Sequence, residues 1–114
     1  MHFKKLPAAF YRSAAGHEPV REWLRSLNGI NRRIVGQDIA TAEFGWPVDM
    51  PVCRALRRGL YEIRSGLEGN RIARVIFCVD GGRMVLLHAF IKKTRRTRQA
   101  DLALALKRKS EVTS

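Results

Sequence analysis

One carboxylate and four basic or titratable side chains fall at alternate positions of three consecutive segments: Glu62, Arg64, Arg74, His88 and Lys92. Attack of a ribose 2′-OH on its own phosphodiester requires cations to stabilise the phosphate charge, a proton acceptor and a donor for the leaving 5′ oxygen. Arginine and lysine supply the cations without a metal. Glu62 is the natural base, and Lys92, Lys93 or His88 are the alternatives or the acid. These residue types therefore suit metal-independent cleavage of RNA.

The same residues also have purely structural explanations. Arg64 and Arg74 could pair with Glu62 across neighbouring strands, and such surface ion pairs contribute little stability. His88 is flanked by apolar residues, as a core histidine often is. Phe90 could be a core residue or could stack on a base. Both interpretations stay open from the sequence.

The positive charge is concentrated in the second half of the chain. The 114 residues carry 22 Lys and Arg against 10 Asp and Glu, a net charge of +12. Residues 1–50 hold seven basic and five acidic residues, whereas residues 51–114 hold fifteen and five. Such asymmetry favours a polyanion, because neutralised phosphates release counterions; a solvated surface or an acidic protein partner is the alternative. The predicted RNA contacts are Arg57, Arg58, Arg71, Phe90, Arg95, Arg96 and Arg98.

Two helices are predicted in the first half of the chain, after a short edge strand at residues 9–12. Pro19 fits the first turn of a helix whose apolar residues recur at helical spacing until Asn28-Gly29. A second helix follows over residues 30–44 and stops at Gly45-Trp46-Pro47. The short connection predicts an αα-hairpin.

The second half changes to strand-like alternation. Three strands are predicted over residues 54–65, 71–79 and 83–92, joined by short turns into an antiparallel meander. A helix over residues 97–109 comes last, with Leu102, Ala103 and Leu106 on one side. The predicted fold is α+β, with an N-terminal αα-hairpin packed on the meander and a C-terminal helix.

Alternation of side chains sorts the strand residues into two faces. The face expected against the αα-hairpin is almost wholly apolar: Tyr61, Ile63, Ala73, Val75, Phe77, Val85, Leu87, Ala89 and Ile91. The opposite face mixes apolar and charged residues: Glu62, Arg64, Ile72, Arg74, Ile76, Cys78, Leu86, His88, Phe90 and Lys92. The C-terminal helix can cover the apolar end of this second face. A basic, partly walled groove would remain.

Length and composition set the broad class. A chain of 114 residues suits one domain spanning 1–114. No apolar run reaches the ~18 residues of a membrane span and no signal-peptide pattern opens the chain, so a cytoplasmic protein without membrane contact is expected. Cys53 and Cys78 lack metal-ligand spacing and are expected to be plain thiols, and we expect no metal and no cofactor.

The order of these motifs resembles a known family. The segments LYEIR (60–64), RIARVIFCV (71–79) and LLHAFIKKT (86–94) follow PVREWL (19–24) and FGWP (44–47). Together they resemble the phage-derived HigB-like branch of the RelE/ParE toxin superfamily over residues 8–110.

The resemblance implies a type II toxin that cleaves mRNA on the translating ribosome without a metal. It also implies neutralisation by a cognate helix-turn-helix, HigA-like antitoxin. The positions that match the family's functional residues are Glu62, Arg64, Arg74, Lys92 and Lys93. Lys93 is assigned to this set by the resemblance alone.

The sequence departs from the family pattern at two functional positions. Some members of the family carry a basic residue where this chain has Glu62. Some members of the family carry a tyrosine shortly after the last strand, whereas no tyrosine follows Tyr61 here. Either a lysine or histidine takes the acid or base role, or activity is weak or lost. The alternative function is a non-catalytic phage-derived protein that binds nucleic acid or a partner.

Overall fold

A computed structural model describes residues 3–47, 52–92 and 98–113. Within these residues the chain forms helices and a mixed β-sheet, which confirms the α+β class. The elements, in chain order, are β1 (Ala8–Phe10), α1 (Pro19–Ser26), α2 (Gly29–Gly45), β2 (Cys53–Ala55), β3 (Tyr61–Gly66), a 3-10 turn (Glu68–Asn70), β4 (Ile72–Asp80), β5 (Arg83–Lys92) and α3 (Gln99–Thr113).

The strands form one sheet in the order β1-β5-β4-β3-β2. The antiparallel meander of β3, β4 and β5 is confirmed. The predicted strand 54–65 is instead two strands, because Arg58 and Gly59 adopt positive φ angles of 60° and 76° and reverse the chain. The resulting hairpin of β2 and β3 extends the meander by one strand.

The N-terminal arrangement differs from the predicted αα-hairpin. The edge strand predicted before the helices exists as β1, and it pairs in parallel with β5, with Ala8 opposite Met84. The helix α1 lies on β5 and β1, whereas α2 lies on β3. Leu27 and Asn28 are both extended, with ψ angles of 152° and 165°, so they form a corner that sends the two helices to different strands.

Side-chain capping fixes that corner. The Asn28 side chain accepts a hydrogen bond from the backbone N–H of Asn31 at 2.8 Å and so caps the start of α2. The Arg32 guanidinium donates to the carbonyl oxygens of Leu24, Arg25 and Leu27, which satisfies the exposed end of α1.

The sheet separates two apolar cores. The core under α1 and α2 includes the fully or almost fully buried Val20, Val35, Val75 and Phe77. The core under α3 contains the buried residues Tyr11, Leu60, Ile76, Cys78, Val85, Leu87, Phe90 and Ala105. Leu102 and Leu106 pack on this second core as predicted, but Ala103 is exposed and Ala105 takes the central position.

A β-bulge in β5 corrects the predicted assignment of faces. Ile76 pairs with His88 while the next residue, Phe77, pairs with Leu86, so Leu87 is an extra residue in β5. One extra residue reverses the alternation on one side of the bulge. Val85 and Leu87 therefore face α3 instead of the α1 and α2 core, and Leu86 faces that core.

The remaining broad expectations concern cysteines and membranes. Cys53 and Cys78 are both free and buried, as predicted. None of the helices in the described part of the chain has the length and apolar character that crossing a membrane requires.

Candidate functional site

Three adjacent strands bring the predicted charged residues to one end of the face that α3 covers. Arg64 of β3 lies directly opposite Arg74 of β4, and Arg74 lies opposite Phe90 of β5. His88 and Lys92 lie on β5 on either side of Phe90 and point to the same face, because both follow the bulge. We call the group the basic site; it comprises Glu62, Arg64, Arg74, His88, Phe90, Lys92, Arg98 and Asp101.

A buried ion pair lies at the centre of the basic site. Arg74 Nη1 donates to Glu62 Oε1 at 2.7 Å, and both side chains are 0% exposed. The Nε atom of Arg64 lies 4.0 Å from the same carboxylate oxygen. The Glu62 carboxylate therefore faces two guanidinium groups. The ion pair foreseen from the sequence exists, but as a buried pair and not a surface one.

This burial changes the roles that Glu62 and Arg74 can have. A side chain with no exposed surface cannot touch an RNA phosphate or a ribose hydroxyl in this conformation. Direct proton transfer by Glu62 and direct phosphate contact by Arg74 therefore do not fit the geometry. What the pair can do is hold Arg64 in place from below.

Arg64 is the guanidinium at the surface of the site. Its side chain is 20% exposed, and it lines an open depression of about 370 Å³ together with Asp38, Val52, Gly66 and Ile72. Its buried Nε atom has no hydrogen-bond partner among the described residues. A guanidinium so placed can bind an anion that enters the depression.

Asp101, in the first turn of α3, joins the helix to β5. Its Oδ1 lies 2.8 Å from Nε2 of His88, and its Oδ2 accepts a hydrogen bond from Nε of Arg98 at 3.1 Å. Burial alone would raise the pKa of Asp101, but the hydrogen bonds from His88 and Arg98 outweigh it and hold that pKa below its ordinary value. The carboxylate is therefore ionised at neutral pH.

Sequence reasoning missed Asp101. Two signals were available, since the residue follows Arg98 by three positions and acidic residues are favoured in the first turn of a helix. Its partner His88 belongs to a different element, and their contact is a product of the tertiary fold.

Lys92 lies among charges of both signs. Burial, reinforced by the neighbouring Arg98, lowers the pKa of Lys92, and Asp101 and Glu62 oppose that shift. Its Nζ also lies 5.6 Å from the centre of the Phe90 ring. Lys92 is half-buried and lies at the rim of the site.

Phe90 is a core residue, which corrects its prediction as an RNA contact. Its side chain is 9% exposed and packs in the core under α3. The His88 ring stacks on it with centroids 5.3 Å apart. With Lys92 also over the ring, no open face remains on which a base could stack.

The other predicted RNA contacts are spread over the surface. Arg57 and Arg58 are exposed in the turn between β2 and β3, where Lys109 of α3 lies against Gly59. Arg71 lies between β4 and the 3-10 turn and donates to Glu68 O at 3.2 Å. The Arg98 side chain is 68% exposed while bound to Asp101. Lys93, Arg95 and Arg96 lie outside the described residues.

The described residues contain no group of three or more His, Cys, Asp or Glu side chains that could hold a metal ion. Four cations, a histidine and two paired carboxylates instead make up the chemistry of the basic site. This set can bind a phosphodiester and move protons near it.

Comparison with known proteins places the chain. A family model for phage-derived Gp49-like proteins (DUF891) matches residues 22–110. The chain belongs to this family. The Gp49-like family is a RelE/HigB-like toxin family, which confirms the resemblance at that level. The matched segment contains every residue of the basic site, and no curated protein matches the chain.

Proposed function

We propose that this Gp49-like protein is the HigB-like toxin of a type II toxin–antitoxin pair, and that it cleaves mRNA on the ribosome without a metal ion. A RelE-like arrangement of the fold is part of the same proposal. The observation that carries it is the placement of Arg64 and Lys92 on one face of three adjacent strands, with Arg98 and the buried Asp101 beside Lys92 at the start of α3. Membership of a toxin family supports the same conclusion.

The residues divide into contact and support roles. Arg64 and Lys92 bind the scissile phosphate and stabilise the charge that develops on it. Glu62 and Arg74 fix Arg64 from within the sheet. Proton transfer falls to groups with exposed surface, which are His88 and Lys92 among the described residues. Lys93 stays a further prediction for that role.

The reaction transfers a phosphoryl group from the 5′ oxygen to the 2′ oxygen within the RNA. The ribose 2′ oxygen loses its proton to the base and bonds to phosphorus, and the bond from phosphorus to the 5′ oxygen breaks. The acid protonates the leaving oxygen, so no net proton is consumed. The products are a 2′,3′-cyclic phosphate and a 5′-OH end.

The partners follow from the same proposal. The mRNA enters on the ribosome, and exposed cations such as Arg57, Arg58 and Arg98 contact ribosomal RNA. A ribosome-dependent activity places the protein in the cytoplasm. A cognate HigA-like antitoxin with a helix-turn-helix domain neutralises it, and expression of the neighbouring gene should restore growth.

Primer extension on a translated message tests the cleavage. The wild type should create new 5′ ends only when the message has a functional start codon, and those ends should carry 5′-OH groups. Arg64→Ala should lower the cleavage rate by about 10²-fold, as loss of one charge-stabilising donor does. Arg83→Ala, an exposed arginine at the other end of β5, is the matched control and should cut like the wild type.

Two results would contradict the proposal. One is an equal rate of cleavage by the wild type and Arg64→Ala when both are equally folded. The other is 5′-phosphate ends, which hydrolysis by water produces and attack by the 2′ oxygen does not.

One observation favours a second candidate, a non-catalytic protein that binds nucleic acid or a partner. Glu62 and Arg74 are both sealed from solvent, as members of a purely structural ion pair would be. This candidate predicts salt-sensitive RNA binding with no new message ends and no growth arrest.

A further inference from the structure

His88 of β5 and Asp101 of α3 form a close and largely buried contact. Nε2 of His88 lies 2.8 Å from Oδ1 of Asp101, and the two side chains are 16% and 8% exposed. The second oxygen of Asp101 is occupied by Arg98. The carboxylate is therefore held on both sides, and its distance to the imidazole is fixed by two elements of the fold.

This contact decides which nitrogen of the ring carries the proton. An ionised carboxylate has only acceptor sites, so Nε2 of His88 must be the donor. In the neutral ring Nδ1 is then unprotonated and can accept a proton. No hydrogen bond from a described residue occupies Nδ1, whereas Phe90 stacks on the ring and restricts its rotation.

The alternatives for a base are less suited to that role. Glu62 has no exposed surface and is bound to Arg74 at 2.7 Å. Lys92 carries a positive charge at neutral pH in its ordinary state and is placed to attract the phosphate. His88 is partly exposed and lies on the face that carries Arg64 and Lys92, and its Nδ1 atom binds none of the described residues.

We propose that Asp101 is a positioning residue that holds His88 in the Nε2–H tautomer, so that Nδ1 of His88 accepts the 2′ proton in the proposed cleavage. The transfer of the 2′ proton to Nδ1 rests on the proposed function. The Nε2–H tautomer is inferred from the contact of His88 with Asp101 alone. Asp101 contacts the ring and Arg98 binds Asp101, both at the start of α3. The charged residues on the same face of the neighbouring strands are Glu62 and Arg64 on β3, Arg74 on β4 and Lys92 on β5.

NMR of the full chain tests the tautomer. Two-bond ¹⁵N–¹H correlation spectra at about pH 8.5, where free imidazole is neutral, distinguish protonated from unprotonated ring nitrogens. The His88 signals, assigned with His88→Gln, should show a protonated Nε2 and a bare Nδ1. Asp101→Asn should give a mixture of the two tautomers, because an amide can both donate and accept.

Glu111→Gln provides the matched control. It makes the same carboxylate-to-amide change near the other end of α3, at an exposed residue that binds Tyr11 and not His88. The His88 signals should be unchanged in this variant. A wild type with a protonated Nδ1, or identical tautomers in Asp101→Asn and the wild type, overturns the inference.

Single-turnover primer extension tests the proton transfer to Nδ1. Asp101→Asn should slow the cleavage step by about 10²-fold, the lower end of the range for losing a general base. The ribosome concentration that gives half the maximal rate should not change. Wild-type cleavage with equal rates in Asp101→Asn overturns the inference and leaves the proposed function intact. If the wild type cuts no message, the proposed function and the role of Nδ1 are both refuted. The NMR measurement of the His88 tautomer still tests whether Asp101 positions the ring.

Discussion

Replacement of Arg74 by methionine should severely destabilise the fold. The methionine fills similar space but removes the guanidinium that donates to the Glu62 carboxylate, 0% exposed, at 2.7 Å. Breaking one side of a buried ion pair costs about 3–5 kcal/mol. A domain of this size loses about 4 °C of melting temperature per kcal/mol, so the expected decrease is about 12–20 °C.

Urea unfolding followed by the fluorescence of Trp23 and Trp46 measures this loss, and circular dichroism checks that the transition is two-state. The double variant Glu62→Gln/Arg74→Met should recover about 1–3 kcal/mol relative to the sum of the single variants, because the buried charge is then gone. Arg83→Met, at an exposed arginine of the same sheet, should change stability by about 0.5 kcal/mol at most.

A loss of stability in Arg74→Met no larger than that in Arg83→Met would contradict this role of the buried ion pair. Simple additivity in the double variant would contradict it as well. Either result would mean that the Glu62 carboxylate is satisfied by solvent or by other groups, and that Arg74 does not hold the centre of the basic site together.

Three further outcomes are expected. Burial raises the pKa of Cys53 to about 11 from an ordinary 9.0, so its alkylation near pH 8 should be about 10²-fold slower in the folded protein than in urea, and Cys78, whose pKa is also raised, should be protected too. The lowered pKa of Asp101 stabilises the fold above about pH 4, and this contribution disappears as the pH falls further; Asp101→Asn should be less stable at pH 7 and lose less on acidification, as measured by urea midpoints at both pH values. Asn28→Ala should cost about 1 kcal/mol in urea unfolding through loss of the α2 cap, and Asn28→Asp should cost little; equal losses in both variants would contradict the capping role.

The elements with strong periodicity were predictable from the sequence. The apolar spacing after Pro19 and the stop at Gly45 place α1 and α2 to within a residue or two, and alternation places β4 and β5. The division of residues 54–65 was missed because arginine is not a residue type that marks a turn, and the positive φ of Arg58 is set by the turn in which it lies. Gly59 was the available signal for that turn.

The bulge at Leu87 has no local signature. A run of apolar residues at 84–87 satisfies either face of the sheet, so only the pairing with β4 reveals where the extra residue lies. The predicted face of His88 and Lys92 is confirmed because both residues follow the bulge. Val85 precedes the bulge and Leu87 forms it, so their predicted face was wrong.

The depth of the basic site was equally beyond the sequence. Alternation places Glu62, Arg64 and Arg74 on one face but says nothing about what covers that face. Their exposures, 0% for Glu62 and Arg74 and 20% for Arg64, are set by neighbours distant in the chain. The contact of Asp101 with His88 likewise joins two elements that share no sequence pattern.

The parallel pairing of β1 with β5 has a consequence for the order of folding. Ala8 lies beside Met84, so β1 can find its hydrogen-bond partners only after β5 has been synthesised. Closing so long a loop costs more conformational entropy than closing a local hairpin does. The hairpins of β2 to β5 can therefore form first, and the N-terminal segment docks onto a sheet that already exists.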